Sequence, residues 1–247
     1  MVSEDIFECE WGVLPLIEFC ISNRSEIGKK YKSCLDIGSG HGEQSRLLRK
    51  AGIDVLSLDK YHKNADLNVD FIEYDFSSKF DIILCSHVIE HQRNVGLFLD
   101  KIFDIMHKES LLIIIAPKHE AEALIEGHLN CFYTTYFIQQ LIHAGFDVKK
   151  GKYISVYGVE NAAIVPKAKN FNLTERRSDG HIWDKKLQKR SPFQLKNSVI
   201  PNIQNLFHNC DVLESSDGKD LSINFPKSYK HFGIGIVNRS SNLRLMI

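Results

Sequence analysis

Residues 34–45 of the chain are Cys34-Leu35-Asp36-Ile37-Gly38-Ser39-Gly40-His41-Gly42-Glu43-Gln44-Ser45, an apolar run with an acid near its end and three glycines at alternate positions. This pattern predicts a strand, a tight glycine turn and the first turn of a helix. Glycines allow backbone N–H groups to approach a ligand closely, and a helix N-terminus favours negative charge. The stretch therefore predicts a site for a nucleotide-like molecule.

The glycine turn departs from the dinucleotide-binding fingerprint. That fingerprint, G-x-G-x-x-G, ends in a glycine, but counting from Gly38 its last position holds Glu43. The acid Asp36 suits a cofactor with an ammonium group, whereas it would repel a lone pyrophosphate. The pattern acid-x-G-x-G-x-G resembles motif I of the class I S-adenosylmethionine-dependent methyltransferases. Taken alone, the turn leaves three interpretations open: such a methyltransferase, a dinucleotide enzyme and a plain tight turn.

Composition narrows the class of protein. The chain has 247 residues, 43% hydrophobic and 25% charged, and 31 basic residues balance 31 acidic ones. With a formal net charge of zero, the chain has no overall electrostatic attraction to nucleic acid or to an anionic membrane. The six cysteines are widely spaced without a C-x-x-C pair, which argues against a disulfide scaffold or a zinc ribbon. No leader pattern and no run near ~18 apolar residues is present, so we expect a cytoplasmic protein.

Apolar runs alternate with helix-period segments over the first two thirds of the chain. Strands are predicted at 33–37, 53–58, 69–74, 80–85, 111–116, 146–157 and 161–165, and helices at 43–51, at 94–107 and after a cap at Thr134 or Thr135. Strands separated by helices imply right-handed crossovers and a parallel α/β sheet with both faces covered. The final hairpin implies one antiparallel strand at or near the edge. The resemblance implies the doubly wound, Rossmann-like, seven-stranded sheet of class I methyltransferases, with 111–116 placed centrally.

Three regions are predicted along the chain. Residues 1–30 form a helical lead-in, in which Pro15 is expected to interrupt a regular helix. This lead-in packs on the core or, through Trp11 and its neighbours, forms part of a lid. Residues 31–167 form the S-adenosylmethionine-binding domain, and residues 168–247 form a C-terminal appendage with a possible role in substrate recognition.

Polar residues follow the predicted strands at the ends where doubly wound folds bind ligands. Asp59 lies 19 residues after Gly40, where a carboxylate can accept hydrogen bonds from ribose hydroxyls. Asp75 offers an acceptor for an adenine amino group, and Phe76 offers an aromatic face. The predicted cofactor-binding residues are Asp36, Gly38, Ser39, Gly40, Gly42, Asp59, Lys60, Asp75, Phe76 and Ser86.

Residues 80–117 resemble the small-molecule methyltransferases, with Val88-Ile89-Glu90-His91 after the fourth predicted strand. No [DN]-P-P-[YF] motif, typical of enzymes that methylate nucleic-acid amino groups, is present there. Gly127-His128-Leu129-Asn130 resembles a second segment of that family, in which a histidine lies over the acceptor pocket. We predict His87 or His128 as the base that accepts the acceptor's proton; the alternative for His128 is a loop histidine bonded to backbone.

Two other functions involve the same residues. His87-Val88-Ile89-Glu90-His91 matches H-x-x-E-H, the zinc-binding helix of inverted metalloproteases. However, His87 directly follows a predicted strand and no separate glutamate ligand is identified, so no metal ligand is predicted. A degenerate fold could also serve as a binding or scaffold module, but the cofactor positions are intact.

Residues 167–196 contain nine Lys and Arg against three Asp and Glu. Three interpretations of this stretch stay open. It is a solvated face, a surface that recognises an anionic acceptor through Arg176, Arg177 or Lys185, or a patch that contacts RNA. The segment from Tyr157 to Lys167 and the Asp179-Gly180-His181-Ile182 stretch loosely resemble methyltransferases of bacterial surface-polysaccharide gene clusters. This resemblance implies a small-molecule acceptor, such as a sugar nucleotide or a phosphorylated intermediate of capsule or O-antigen synthesis. The oligomeric state is not predicted.

Overall fold

The computed structural model describes residues 11–118, 124–156, 160–169 and 171, together with the backbone of four strands in the last part of the chain. Within these ranges the α-helices are α1 (Val13–Ser22), α2 (Glu43–Lys50), α3 (Val95–Asp104) and α4 (Thr134–His143). The strands are β1 (Ser33–Ile37), β2 (Asp54–Leu58), β3 (Phe80–Ser86), β4 (Met106–Pro117), β5 (Lys152–Val156), β6 (Glu160–Pro166), β7 (Asp211–Glu214), β8 (Leu221–Asn224), β9 (Gly235–Arg239) and β10 (Asn242–Met246). Short 3₁₀ turns lie at Ile89–His91 and Val148–Lys150.

Strands β1 to β6 form one sheet in the order β2-β1-β3-β4-β6-β5. Neighbours β2, β1, β3 and β4 pair in parallel, and β6 is antiparallel to both β4 and β5. The prediction of a mostly parallel sheet with one antiparallel strand near the edge is therefore confirmed. The prediction that the apolar run 111–116 lies centrally is also confirmed, since β4 is the fourth of the six strands.

The predicted strand at 69–74 does not form, so the described sheet has six strands and not seven. The Asp70 carboxylate accepts the N–H of Ile72 at 2.8 Å, and its backbone carbonyl accepts the N–H of Tyr74 at 3.1 Å. These bonds close a turn, in which an aspartate competes with strand pairing for the backbone donors. Among the described residues, only an isolated parallel bridge between Leu58 and Leu67 extends the sheet beyond its edge strand β2.

Three further boundaries differ from the prediction. Pro15 does not interrupt α1, because it lies in the first turn, where a backbone N–H has no partner within the helix. Tyr133, and not Thr134, is the N-cap of α4, and the Thr134 hydroxyl donates instead to Asn161 Oδ1 at 2.9 Å. The chain enters β4 at Met106, so the helix predicted to reach 107 ends earlier.

The sheet is covered on both faces, as the doubly wound fold requires. Alternate residues of β3 point to opposite faces: Ile82 and Leu84 pack in the cluster that contains α1, while Ile83 and Cys85 pack in the cluster that contains α3 and α4. This arrangement directs the carboxyl ends of β1, β2 and β3 to one edge, where ligands bind in such folds. In the part of the chain that the structure describes, no helix combines the length and apolarity needed to cross a membrane.

Candidate active site

The turn between β1 and α2 adopts the backbone conformation for which glycine is needed. Gly38, Gly40 and Gly42 have φ angles of 73°, 55° and 79°. A Cβ at Gly38 would lie 2.2 Å from Val88 Cγ2, so this glycine also allows a close approach between two segments. The N–H groups of Gly38 and Ser39 donate to the carbonyl of Leu58, which ties the turn to the end of β2.

Asp36 lies beneath this turn. Its side chain is 1% exposed, and its Oδ2 accepts the hydroxyl of Ser45 at 2.6 Å. Burial raises the pKa of Asp36 to about 6, and the Ser45 hydrogen bond acts in the opposite direction. A nearby cation would favour the carboxylate, so the residue is suited to an ammonium group.

Asp59 organises the end of β2 through backbone donors. Its Oδ2 accepts the N–H of Gly40 at 2.9 Å, and its Oδ1 accepts the N–H groups of Tyr61 and His62, both at 2.8 Å. Burial alone would raise the pKa of Asp59, but these three donors hold it below its ordinary value. The residue is an anion that fixes the glycine turn, and one lone-pair site remains for a ligand hydroxyl.

Two observations show that the turn has room and hydrogen-bonding capacity for a cofactor. A Cβ at Gly40 would meet no atom within 4 Å, so open space faces this position. The hydroxyl oxygen of Ser39 is buried and has no hydrogen-bond partner among the described residues. Buried polar atoms are normally paired, which makes this hydroxyl a candidate ligand contact. The residues of the turn thus fit the cofactor that the sequence predicts.

The other predicted cofactor residues surround the turn less closely. Asp75 is exposed, and Phe76 is half-buried with its ring centroid 4.9 Å from Tyr74. Lys60 Nζ donates to Asp70 Oδ2 at 2.9 Å. Ser86 lies at the end of β3, and its Oγ accepts a hydrogen bond from the Gln44 amide at 3.0 Å. Their roles in cofactor binding stay predictions.

The segment before α1 closes against the ends of the strands. Gln44 Nε2 donates to the carbonyl of Trp11 at 2.6 Å, and the Trp11 ring lies 5.3 Å from the ring of His87. Gly12 has a φ of 68°, which favours glycine, and a Cβ there would lie 2.5 Å from Gln44 Nε2. Helix α1 packs on the core, and Trp11 contacts His87. A lid formed by this segment stays a prediction.

His87 occupies the strained position directly after β3. Its φ angle of 53° is the only positive value of a non-glycine residue among those that the structure describes. Its Nε2 lies 3.2 Å from Glu160 Oε2, and its Nδ1 lies 3.6 Å from Glu90 Oε1. The ring is therefore held between two buried carboxylates.

Glu160 is a site residue that the sequence prediction missed. It begins β6, is 3% exposed, and its Oε2 also accepts the N–H of Gly12 at 3.0 Å. The signal was a single carboxylate at the start of the apolar run Glu160–Pro166, because a buried acid requires partners. It joins the segment before α1 to the end of β3.

His128 lies beside His91, and its place over the acceptor stays a prediction. Its ring centroid lies 4.9 Å from that of His91, which ends the 3₁₀ turn after β3. The H-x-x-E-H pattern, in contrast, does not lie on a helix. Ile89–His91 forms a single 3₁₀ turn, so His87 and His91 are not presented at helical i, i+4 spacing.

Comparison with known proteins identifies the domain. Residues 16–151, more than half of the chain, match the family model described as a methyltransferase domain. The chain belongs to this methyltransferase family. N-methyltransferase 4 of Papaver somniferum is 32% identical over 123 residues, which cover 46% of the chain and 33% of that protein. A ubiquinone biosynthesis O-methyltransferase of Nitrobacter winogradskyi is 35% identical over 82 residues, which cover 27% of the chain and 31% of that protein.

Solved structures of other methyltransferases have the same fold as this chain. The plantazolicin methyltransferase BpumL, whose structure contains S-adenosylhomocysteine, has a TM-score of 0.51 at 14% identity, over 64% of the chain and 84% of its own. The 1,6-didemethyltoxoflavin-N1-methyltransferase of Burkholderia thailandensis has a TM-score of 0.50 at 15% identity, over 62% and 78%. The predicted family and fold class are therefore confirmed. The chain spans about a third of the length of the curated relatives it matches.

Proposed function

We propose that this chain transfers a methyl group from S-adenosylmethionine to a small molecule. The observation that carries the proposal is the glycine turn, where a buried acid at Asp36, open space at Gly40 and the buried Ser39 hydroxyl meet in a methyltransferase domain. The cofactor, when bound, supplies an electrophilic methyl group. Asp36 would hold its ammonium group, and Asp59 would accept a hydrogen bond from its ribose.

The acceptor would lie on the side of His87 and His128. The chain's own contribution there is to position the acceptor and remove a proton where the acceptor is a hydroxyl. In neutral His87 the hydrogen on Nε2 is directed at Glu160, so Nδ1 is the ring nitrogen left to take a proton. Because Nδ1 faces Glu90 at 3.6 Å, the ring would reach the acceptor only by turning away from that carboxylate. Trp11, against the ring of His87, would exclude water from this side.

The acceptor class that we propose is an anionic small molecule, such as a sugar nucleotide or a phosphorylated metabolite. Its support is the composition of residues 167–196, rich in Lys and Arg. Arg176, Arg177 and Lys185 lie outside the described residues, so this part of the proposal rests on charge alone.

Calorimetry with S-adenosylmethionine and S-adenosylhomocysteine tests the cofactor. Both should bind, and absence of binding by either would reject the proposed activity. A screen of sugar nucleotides and phosphorylated metabolites with methyl-labelled cofactor then tests the acceptor. Transfer only to RNA, lost as salt is raised, would replace the small-molecule assignment with an RNA methyltransferase.

Single alanine variants at His87 and His128 test the base. Each should keep its affinity for S-adenosylhomocysteine, and the variant that lacks the base should lose turnover by about 100-fold or more. Full activity in both variants would show that neither histidine accepts the proton.

A further inference from the structure

Two side chains after β3 and one between β4 and α4 bring together donor atoms suited to a transition metal. A carboxylate oxygen of Glu90 and one ring nitrogen each of His91 and His128 lie within 4.8 Å of one another. Two imidazoles and one carboxylate are a donor set that binds Zn²⁺ and divalent manganese or iron. None of these atoms belongs to the glycine turn.

The carboxylate of Glu90 lacks a partner on one side. Glu90 is 1% exposed, and its Oε2 makes no hydrogen bond with any residue that the structure describes. Its Oε1 lies 3.6 Å from both His87 Nδ1 and His91 Nε2, beyond hydrogen-bond distance. An ionised carboxylate at this depth needs a compensating charge, which a bound cation would supply.

The tautomer of His91 is set for metal binding. Its Nδ1 lies 2.8 Å from the carbonyl oxygen of Gly127, which can only accept, so Nδ1 carries the hydrogen. The lone pair of the neutral ring is then on Nε2, which faces Glu90. Metal-ligating histidines usually donate their other ring N–H to a carbonyl or carboxylate in this way.

Backbone hydrogen bonds hold the third ligand beside the other two. The carbonyl of Glu90 accepts the N–H of Leu129 at 2.9 Å and the N–H of Asn130 at 3.0 Å. The segment that carries His128 is therefore fixed to the turn that carries Glu90 and His91. Tetrahedral zinc with bonds of about 2.1 Å places its ligand atoms about 3.4 Å apart, so binding requires the cluster to contract by roughly 1 Å. Side-chain rotations can supply that movement.

We propose that Glu90, His91 and His128 bind one divalent transition-metal ion and leave coordination positions open to water or to an oxygen of the acceptor. This set differs from the H-x-x-E-H pattern, because His87 is directed at Glu160 and His128 takes its place. The contact with the acceptor rests on the proposed function, but metal binding does not. If the metal binds, His128 serves as a ligand, and His87 is the remaining candidate base.

Titration of metal-stripped protein with Zn²⁺ and with Mn²⁺, followed by calorimetry, tests the site. The wild type should bind one equivalent of at least one of the two ions. The substitutions Glu90→Gln, His91→Ala and His128→Ala should each weaken that binding by about tenfold or more. His107→Ala is the matched control, because His107 is an exposed histidine on β4. No stoichiometric binding of either ion would overturn the proposal.

A second pair of histidines provides the competing explanation. The rings of His41 and His62 lie 4.6 Å apart, so they could bind a metal without the cluster. Loss of binding in the double variant His41→Ala/His62→Ala, with binding kept in His91→Ala, would overturn the proposal.

Two measurements separate a binding defect from a folding defect. The metal should raise the melting temperature of the wild type but not that of the three cluster variants. Each variant should still bind S-adenosylhomocysteine. A cluster variant that binds S-adenosylhomocysteine normally and keeps its full affinity for the metal would count against the metal site. The proposed function is tested separately, by whether the wild type binds the cofactor.

Discussion

The Glu160 carboxylate lies 3.2 Å from His87 Nε2, although the two residues are 73 positions apart in sequence. The same oxygen accepts the buried N–H of Gly12. One carboxylate thus connects the segment before α1, the end of β3 and the start of β6. This contact brings the predicted lid and the predicted base to the same place.

Replacing Glu160 should destabilise the protein. Glu160→Ala leaves the Gly12 N–H buried without an acceptor, which costs about 1–3 kcal/mol. Glu160→Gln keeps an acceptor oxygen and should cost less. Chemical denaturation measures both, with Glu73→Ala as the control because Glu73 is exposed. Equal stability of Glu160→Ala and the control would show that the carboxylate does not anchor the segment.

Asp36 should make stability depend on pH between about 4 and 6. Its pKa of about 6 in the folded protein exceeds the ordinary value of 3.8, so the folded state keeps a proton that the unfolded state has released. The free energy of unfolding should therefore fall as pH rises through this window, by about 3 kcal/mol in all, and stay level above it. Asp36→Asn should remove this slope, whereas Asp54→Asn, at an exposed position on β2, should keep it.

The same titration should govern cofactor affinity. If Asp36 holds the ammonium group, S-adenosylhomocysteine should bind more weakly at pH 5 than at pH 7, because the protonated acid offers no charge. Calorimetry at the two pH values measures the difference, which should vanish in Asp36→Asn along with much of the affinity. Unchanged affinity in that variant would assign the ammonium to another group.

Gly38 and Gly40 should respond differently to the same substitution. Both have positive φ, so alanine costs about 1–2 kcal/mol of strain at either position. At Gly38 the new Cβ would also lie 2.2 Å from Val88 Cγ2, whereas at Gly40 it would meet nothing. Gly38→Ala should therefore melt at the lower temperature. Gly40→Ala should keep the fold but lose affinity for S-adenosylhomocysteine, because its Cβ fills space that the cofactor needs.

Apart from the strand predicted at 69–74, the apolar runs and glycine spacing were sufficient to predict the order of the elements from β1 to α4 and the glycine turn that follows β1. The local side-chain hydrogen bonds that close turns, and the contacts between residues far apart in sequence, were not predictable from these patterns. The 69–74 segment is rich in the β-branched and aromatic residues that favour strands, but the Asp70 side chain bonds locally and closes a turn. The link between Glu160 and His87 joins residues from distant segments, and one sequence contains no signal for such a pairing. The match of Glu90 and His91 to a family motif likewise gave no sign of the contact with His128.

Ser39 separates cofactor binding from stability most cleanly. Its hydroxyl oxygen is buried and makes no hydrogen bond within the described part of the chain. Ser39→Ala should therefore leave the melting temperature unchanged or slightly higher. If the cofactor supplies the missing partner, the same change should weaken S-adenosylhomocysteine binding by about 3- to 10-fold, equivalent to one hydrogen bond. Ser45→Ala is the contrasting variant, because that hydroxyl already donates to Asp36 and its loss should lower stability. Full affinity for S-adenosylhomocysteine in Ser39→Ala would show that the cofactor does not contact this hydroxyl. The Gly40→Ala variant would then be the remaining test of cofactor binding at the glycine turn.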